Sequence, residues 1–135
     1  MPAVVQLLEA ALYVDDLERS ILFYQSIFGF TLLGANKRIC AMAVANQQVL
    51  LLLQRGGSVQ PTPTKGGVLP PSDAYGQQHI AFAVRAEDLA TWRQRLADLG
   101  VTIESDIASE GERLYFRDPD QHSIELATPG TWAIY

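Results

Sequence analysis

The sequence contains one cysteine, two histidines and no run of basic residues, and each of these scarcities excludes a class of protein. A single cysteine, Cys40, cannot form a disulfide within the chain, which favours a reducing compartment such as the cytoplasm. With 15 acidic against 10 basic residues, the chain is a poor candidate for binding nucleic acid or an anionic membrane. Its longest aliphatic run, residues 49–53, is far too short to span a bilayer. We therefore expect a cytoplasmic protein with neither kind of partner.

What the chain does contain is an internal repeat, interrupted by the proline-rich and glycine-rich stretch at residues 55–78. The segment EAALYVDDL, which starts at Glu9, resembles HIAFAVRAEDL, which starts at His79. In each half an alternating strand precedes a helix with one apolar stripe, a further strand and a hairpin. We therefore predict an α+β fold of two βαβββ modules in a single domain. The expected bounds are about 5–54 for module one, 55–76 for the linker, about 77–129 for module two and 130–135 for a tail.

The two helices have clear start and stop signals. Asp15 or Asp16 can cap the first helix, and Gly29 and Gly100 are typical of the residue that follows a helix. The apolar stripe of each helix recurs at steps of three and four residues. The stripes consist of Leu17, Ile21, Tyr24 and Phe28 in the first helix, and Leu89, Trp92, Leu96 and Leu99 in the second.

Three polar residues occupy equivalent places in the two halves. In the strand HIAFAV, His79 shares one face with two alanines, a pattern that is typical of a cavity wall rather than of a core or an open surface. Alignment of the halves places Glu9 in the same slot as His79. Alignment of the two hairpins places Leu51 in the same slot as Glu125. The sequence therefore predicts that Glu9, His79 and Glu125 face one cleft, with Leu51 in the fourth slot.

The segments YVDDLERSILFYQSIFGF, GQQHIAFAV and YFRDPDQHSIEL, in this order, resemble the vicinal oxygen chelate superfamily. That superfamily includes glyoxalase I, fosfomycin-resistance enzymes, extradiol dioxygenases, methylmalonyl-CoA epimerase and the bleomycin resistance proteins. The resemblance covers about residues 5 to 130. It implies that the two modules pair into a curved mixed sheet around a cleft, with the helices on the outer face. It also implies a divalent metal held by the first and last strand of each module.

By position, the resemblance implies that Glu9, His79 and Glu125 are metal ligands. Glu9 stands where many members have histidine, and Leu51 stands where glyoxalase I has a carboxylate, which argues against a glyoxalase I activity. One imidazole and two carboxylates leave coordination positions open for a substrate. This donor set does not select sharply among Zn, Ni, Mn, Co and Fe.

Three further side chains are expected to line the cleft. Tyr115 matches a substrate-contacting tyrosine of the fosfomycin-resistance proteins, and the resemblance implies that it donates to a substrate oxygen. Arg113 lies on the same strand face, where it either binds an anion or forms a salt bridge at the rim. Tyr13 lies on the face of Glu9 and is a candidate wall. His122, beside the DPDQ turn, is expected to be exposed.

We interpret the chain as a metal-dependent enzyme whose small-molecule substrate binds the metal through two neighbouring oxygens. Glu9 or Glu125 would move a proton, in a reaction of the lyase or isomerase type or in a dioxygenase reaction. The alternative is a metal-free protein that sequesters a ligand, as bleomycin resistance proteins do. The resemblance further implies a homodimer, whose cleft forms either within one chain or across two chains.

Overall fold

The structure is a computed structural model that describes residues 1–135, and its elements follow the order βαβββ twice. This order confirms the predicted α+β class and the two βαβββ modules. The first module contains β1 (Glu9–Val14), α1 (Leu17–Phe28), β2 (Thr31–Ala35), β3 (Ile39–Val44) and β4 (Gln48–Gln54). The second contains β7 (His79–Ala83), α2 (Leu89–Asp98), β8 (Ser105–Ala108), β9 (Glu112–Arg117) and β10 (Ser123–Ala127). A short hairpin lies between them, and a single 3₁₀ turn, Ala86–Asp88, precedes α2.

The chain divides into two compact units, residues 1–76 and 77–135. Each unit contains a four-stranded sheet, in the order β1-β4-β3-β2 in the first and β7-β10-β9-β8 in the second. In both units the first strand pairs parallel with the last strand, and the remaining pairs are antiparallel. The first and last strands therefore lie side by side, which brings His79 of β7 close to Glu125 of β10 in the second sheet. None of the helices combines the length and the apolar character needed to cross a bilayer.

The helix of the first unit begins and ends where the sequence predicts. The Asp16 carboxylate accepts a hydrogen bond from the amide of Arg19 at 3.1 Å. Gly29 takes the left-handed conformation, with φ of 67°, and closes the helix by donating to the Gln25 carbonyl. The apolar stripe is partly different from the prediction. The buried side chains are Leu17, Ser20, Tyr24 and Ile27, whereas Ile21 and Phe28 are only half-buried.

The core of each unit lies between its helix and one sheet face. In the second unit Leu89 and Leu96 of α2 are buried, and Trp92 is half-buried, as predicted for that stripe. Leu99 was expected in the same stripe but is exposed, because α2 ends at Asp98 and Leu99 already caps it. The sheet contributes the four fully buried residues Leu114, Phe116, Ile124 and Leu126. The opposite face of the sheet is therefore the one that remains for polar chemistry.

The linker contains more structure than its composition suggested. Two short strands, β5 (Thr62–Thr64) and β6 (Gly67–Leu69), form a hairpin that is closed by a hydrogen bond from the Thr64 hydroxyl to the Gly67 carbonyl. The two ends of the segment are held together by the Arg55 side chain, which donates to the Gly76 carbonyl at 2.8 Å. A segment rich in proline and glycine therefore still forms a hairpin, in which the two-residue turn Lys65-Gly66 joins Thr64 to Gly67.

Candidate functional site

Three polar side chains meet on one face of the second sheet, where β10 lies between β7 and β9. Glu125 pairs with Ala81 of β7 on one side and with Tyr115 of β9 on the other. His79 pairs with Ser123, two residues before Glu125 on β10. Along β7, His79, Ala81 and Ala83 are exposed while Ile80 and Phe82 are half-buried, which agrees with the predicted alternation. The register therefore places His79, Glu125 and Tyr115 side by side.

Glu125 is the buried member of this group, with 5% of its surface exposed. Its Oε1 accepts a hydrogen bond from the Tyr115 hydroxyl. Its Oε2 lies 3.8 Å from Nε2 of His79. A carboxylate in so dry a position is costly unless hydrogen bonds or a cation compensate its charge. The tyrosine supplies one such bond, and the histidine side of the carboxylate stays open.

The hydrogen bond at Nδ1 of His79 determines whether Nε2 can accept or donate. Nδ1 lies 2.9 Å from the carbonyl oxygen of Ser123. A carbonyl oxygen only accepts, so Nδ1 carries the hydrogen, and in the neutral ring Nε2 presents a lone pair. In the neutral ring, that lone pair and the Glu125 carboxylate are two acceptors that face each other, whereas a protonated ring would pair with the carboxylate. A cation between them resolves this repulsion, and a backbone carbonyl on the other nitrogen is the usual companion of a metal-binding histidine.

Tyr115 is a hydrogen-bond donor at neutral pH. Burial raises the pKa of its hydroxyl, and the hydrogen bond to Glu125 raises it further, whereas the nearby Arg113 guanidinium lowers it. The ring also lies over the His79 ring, with centroids 6.2 Å apart and planes inclined by 22°. Tyr115 therefore holds Glu125 through its hydroxyl and contacts His79 through its ring.

Arg113 lies two residues before Tyr115 on the same face of β9. Its Nε atom is buried and has no hydrogen-bond partner. Arg117, farther along the strand, binds Glu104 through two nitrogens. An incompletely compensated guanidinium beside Tyr115 is an arrangement that favours an anion.

The first unit holds the remaining two predicted site residues, Glu9 and Tyr13, on β1. Glu9 pairs with Val49, and Ala11 pairs with Leu51. In register, Glu9 is thus the counterpart of His79, and Leu51 is the counterpart of Glu125. Glu9 is exposed and Tyr13 is half-buried. The chain contains no group of three or more histidine, cysteine or acidic side chains that could hold one metal ion. The structure thus brings His79, Glu125, Tyr115 and Arg113 together in the second unit and places Glu9 and Tyr13 in the first.

The expectation that His122 is exposed was wrong, because its side chain is fully buried. Asp118 accepts hydrogen bonds from the amides of Asp120 and His122, which folds the DPDQ turn back on itself. The His122 side chain is as fully buried as those of Ile124 and Leu126. The period of two along β10 was the signal that could have shown this, since residues 122, 124 and 126 share a face.

Comparison with known proteins identifies related sequences over most of the chain. Residues 6–126 match the family model described as the Glyoxalase/Bleomycin resistance protein/Dioxygenase superfamily. Glutathione transferase FosA from Serratia marcescens is 33% identical over 115 residues, which are 85% of this chain and 74% of that protein. Catechol-2,3-dioxygenase from Bacillus subtilis (strain 168) is 30% identical over 118 residues, 87% of this chain but only 39% of that protein.

Solved structures show the same fold. A lactoylglutathione lyase from Agrobacterium tumefaciens aligns with a TM-score of 0.88 and 24% identity, over 98% of this chain and 99% of that one. The fosfomycin resistance protein FosX from Listeria monocytogenes, crystallised with Mn(II) and sulfate, aligns with a TM-score of 0.69 and 24% identity. That alignment covers 94% of this chain and 92% of the FosX chain. At this level of identity the likeness concerns the fold.

Proposed function

The chain belongs to the glyoxalase/bleomycin resistance protein/dioxygenase superfamily, and on that premise we propose that it is a divalent-metal-dependent enzyme. Its substrate would be a small molecule that offers two neighbouring oxygen atoms to the metal. The observation that carries the proposal is the pair of facing acceptors, Nε2 of His79 and Oε2 of Glu125, 3.8 Å apart. FosX, a relative by fold, was crystallised with Mn(II), which supports a metal of this class.

The donor set fits a divalent cation. We propose His79 and Glu125 as two ligands and Glu9, the register counterpart of His79, as the third. One neutral imidazole and two carboxylates would neutralise a doubly charged ion, and three protein ligands leave room for a bidentate substrate. Zn, Ni, Mn, Co and Fe all accept such ligands. Leu51 cannot serve as a fourth ligand, which separates this site from that of a glyoxalase I.

The side chains around the ligands have separate tasks in this proposal. The metal, when bound, supplies Lewis acidity toward the substrate oxygens. Tyr115 orients Glu125 in the free protein. Its single hydroxyl hydrogen would shift from Glu125 to a substrate oxygen on which negative charge develops. Glu9 or Glu125 takes or returns a proton. Arg113 binds an anionic group of the substrate, and Tyr13 forms part of the wall. Chemistry of the lyase or isomerase type, or a dioxygenase reaction, is compatible with these tasks.

A metal-free binding protein of the bleomycin-resistance type is the second candidate. The observation that favours it is Leu51, which occupies the slot of a ligand with an apolar side chain. The two candidates differ in whether the site needs a cation, so one experiment separates them.

That experiment is thermal unfolding of the untagged, chelator-treated protein with and without Mn(II), Zn(II), Co(II), Ni(II) or Fe(II). A metal that binds the native site raises the midpoint temperature, because ligand binding to the folded state stabilises it. We expect His79→Ala to abolish the rise and Glu87→Gln, an exposed change on the 3₁₀ turn, to retain it. A rise that persists in His79→Ala would place the ion elsewhere, and no rise with any of the metals would favour the binding protein.

We also propose that the protein acts as a cytoplasmic homodimer. Large apolar side chains before β1 are exposed in the single chain, among them Val4, Val5 and Leu7, and a second copy would cover such residues. If Glu9 reaches the site of a partner, co-refolded Glu9→Ala and His79→Ala chains should recover metal binding in one site of each heterodimer. Verified heterodimers without recovery would contradict a shared site, and a monomer at micromolar concentration in sedimentation would contradict the dimer.

A further inference from the structure

The buried histidine His122 is not a member of the site, yet it is bonded to the residue that precedes His79. Its Nδ1 accepts the amide N–H of Gln78 at 2.8 Å. Because Nδ1 accepts, its lone pair is free of a proton and the ring hydrogen of the neutral imidazole is on Nε2. A fully buried imidazole therefore serves as the acceptor for the Gln78 amide, directly before β7.

Ser123, the residue after His122, binds two further groups at the start of β7. The amide of Ser123 donates to the Gln78 carbonyl at 2.8 Å, and the Ser123 carbonyl accepts from Nδ1 of His79 at 2.9 Å. Both backbone groups of Gln78 and the ring of His79 are thus bonded to residues 122 and 123. These three hydrogen bonds fix the start of β7 and the direction of the His79 ring.

The His122 side chain accepts the Gln78 amide because the nearby carbonyl of Gln121 is bonded to another group. Gln121 has a positive φ of 66°, and its carbonyl accepts from the Arg117 side chain at 3.0 Å. The Asp118 carboxylate holds the amide of His122 at 2.9 Å, so the turn presents the ring to Gln78 in one orientation. The acceptor at this position is therefore the imidazole and not the peptide ladder.

We propose that His122 is a positioning residue for His79, and that it acts through the Gln78 amide. It keeps Nδ1 of His79 on the Ser123 carbonyl and thereby keeps Nε2 directed at Glu125. The inference rests on the proposed function in one respect, namely that Nε2 of His79 is a metal-binding atom. Removal of a group that orients a metal-binding side chain without touching the metal typically lowers metal affinity by about 10- to 100-fold.

The test compares three changes at residue 122 with one control. Asn places an oxygen where Nδ1 lies, so His122→Asn should keep the acceptor, while His122→Gln moves the acceptor and His122→Leu removes it. Ile124→Ala is the matched control, because it damages the same buried face of β10 without touching Gln78. If His122→Leu does not fold, His122→Gln retains the polarity and carries the comparison.

Two readouts are taken on the metal-free protein and one with Co(II). In metal-free protein, His122→Gln and His122→Leu should speed hydrogen exchange of the Gln78 amide by about 10-fold or more, because the amide loses its acceptor. The ¹⁵N shifts of His79 should lose the pattern of a ring protonated on Nδ1. Co(II) affinity should fall by about 10- to 100-fold. His122→Asn should restore all three, and Ile124→Ala should lower the unfolding temperature while leaving them unchanged.

The proposal is overturned if His122→Gln and His122→Leu fold and retain wild-type exchange at Gln78 and the wild-type His79 ring state. It is also overturned if Ile124→Ala changes these readouts as much as His122→Leu does, since His122 would then act only through general stability. Failure of the proposed function looks different. In that case the wild type binds no Co(II), while the exchange and ring-state differences among the variants remain.

Discussion

The two units have the same element order and the same strand register, yet they differ in how their equivalent polar slots are prepared. In the second unit Glu125 is buried, bonded to Tyr115 and faced by His79. In the first unit the corresponding residues are Leu51, which is apolar, and Glu9, which is exposed on β1. The comparison shows that equivalent positions of a repeated fold can hold either a buried, hydrogen-bonded carboxylate or an apolar side chain, depending on the residues around them.

The largest expected effect comes from making the second unit resemble the first. Glu125→Leu copies Leu51 and removes a buried carboxylate. We expect metal affinity to fall by more than the roughly 10- to 100-fold that removal of an outer-shell partner causes. The metal-free protein should lose little stability, since an apolar side chain replaces a costly buried charge. Titration calorimetry and thermal unfolding measure both quantities, with Leu51→Met as the volume-conserving control at the equivalent slot. Undiminished metal binding in Glu125→Leu would refute its role.

Tyr115→Phe tests whether the orientation of Glu125 matters by itself. The change removes one hydroxyl and leaves a buried carboxylate oxygen without its donor, which should cost about 1–3 kcal/mol of unfolding free energy in the metal-free protein. Metal should restore part of that loss, because a cation compensates the same carboxylate. Denaturant unfolding with and without metal measures the difference. A stability loss of the same size in both conditions would indicate that Tyr115 is purely structural.

Glu9→Gln sharpens the comparison from the side of the first unit. The amide keeps an oxygen donor and loses the charge, so we expect metal affinity to fall by about 10-fold, which is less than for Glu125→Leu. Competition with a chelating dye provides the measurement. The reciprocal change Leu51→Glu should tighten metal binding, because it gives the first unit the carboxylate of the second. If Glu9→Gln binds metal as the wild type does, Glu9 is not a ligand.

Arg113→Gln addresses the anion subsite, for which the first unit has no proposed counterpart. We expect inorganic phosphate to stabilise the wild type and to stabilise Arg113→Gln at least about threefold more weakly in apparent affinity, because the neutral amide lacks the charge-assisted hydrogen bonds of a guanidinium. Arg85→Gln, an exposed arginine paired with Asp88, is the control. Equal phosphate effects in the wild type and Arg113→Gln would count against the subsite.

The smallest effect concerns reactivity in the native state. Burial raises the pKa of the Cys40 thiol in the first unit, so its thiolate appears at higher pH in the folded than in the unfolded chain. Alkylation at neutral pH should therefore be slow until denaturant is added.

Diethyl pyrocarbonate should modify one of the two histidines, the exposed His79, and spare the buried His122. Modification of both histidines in folded protein would contradict the buried position of His122.

Local patterns predicted the parts of the fold that depend on local physics. The repeat of strand, helix and hairpin predicted both modules, and Asp16 and Gly29 act as the caps that their residue types favour. Aligning the two hairpins predicted that Leu51 and Glu125 occupy equivalent positions in the two modules, and the strand register agrees with this.

The remainder depended on contacts that a linear pattern does not contain. His122 follows a turn that usually marks the surface, and the bond from the distant Gln78 amide to its ring is a contact that the surrounding sequence does not show. The hairpin of β5 and β6 arises in a segment whose composition is that of a loop. In α1 the helix buries Ser20 and Ile27, whereas Ile21 and Phe28 are half-buried, so the apolar spacing alone did not give the rotation of the helix on the sheet.

Metal content of the untagged protein tests the central claim most directly. The protein would be loaded with Mn(II) or Zn(II), freed of excess by gel filtration and analysed by inductively coupled plasma mass spectrometry beside His79→Ala prepared in the same way. The account predicts about one divalent ion per wild-type chain and almost none in the variant. Wild-type protein without stoichiometric metal, or a variant that retains it, would contradict a metal site at His79 and Glu125.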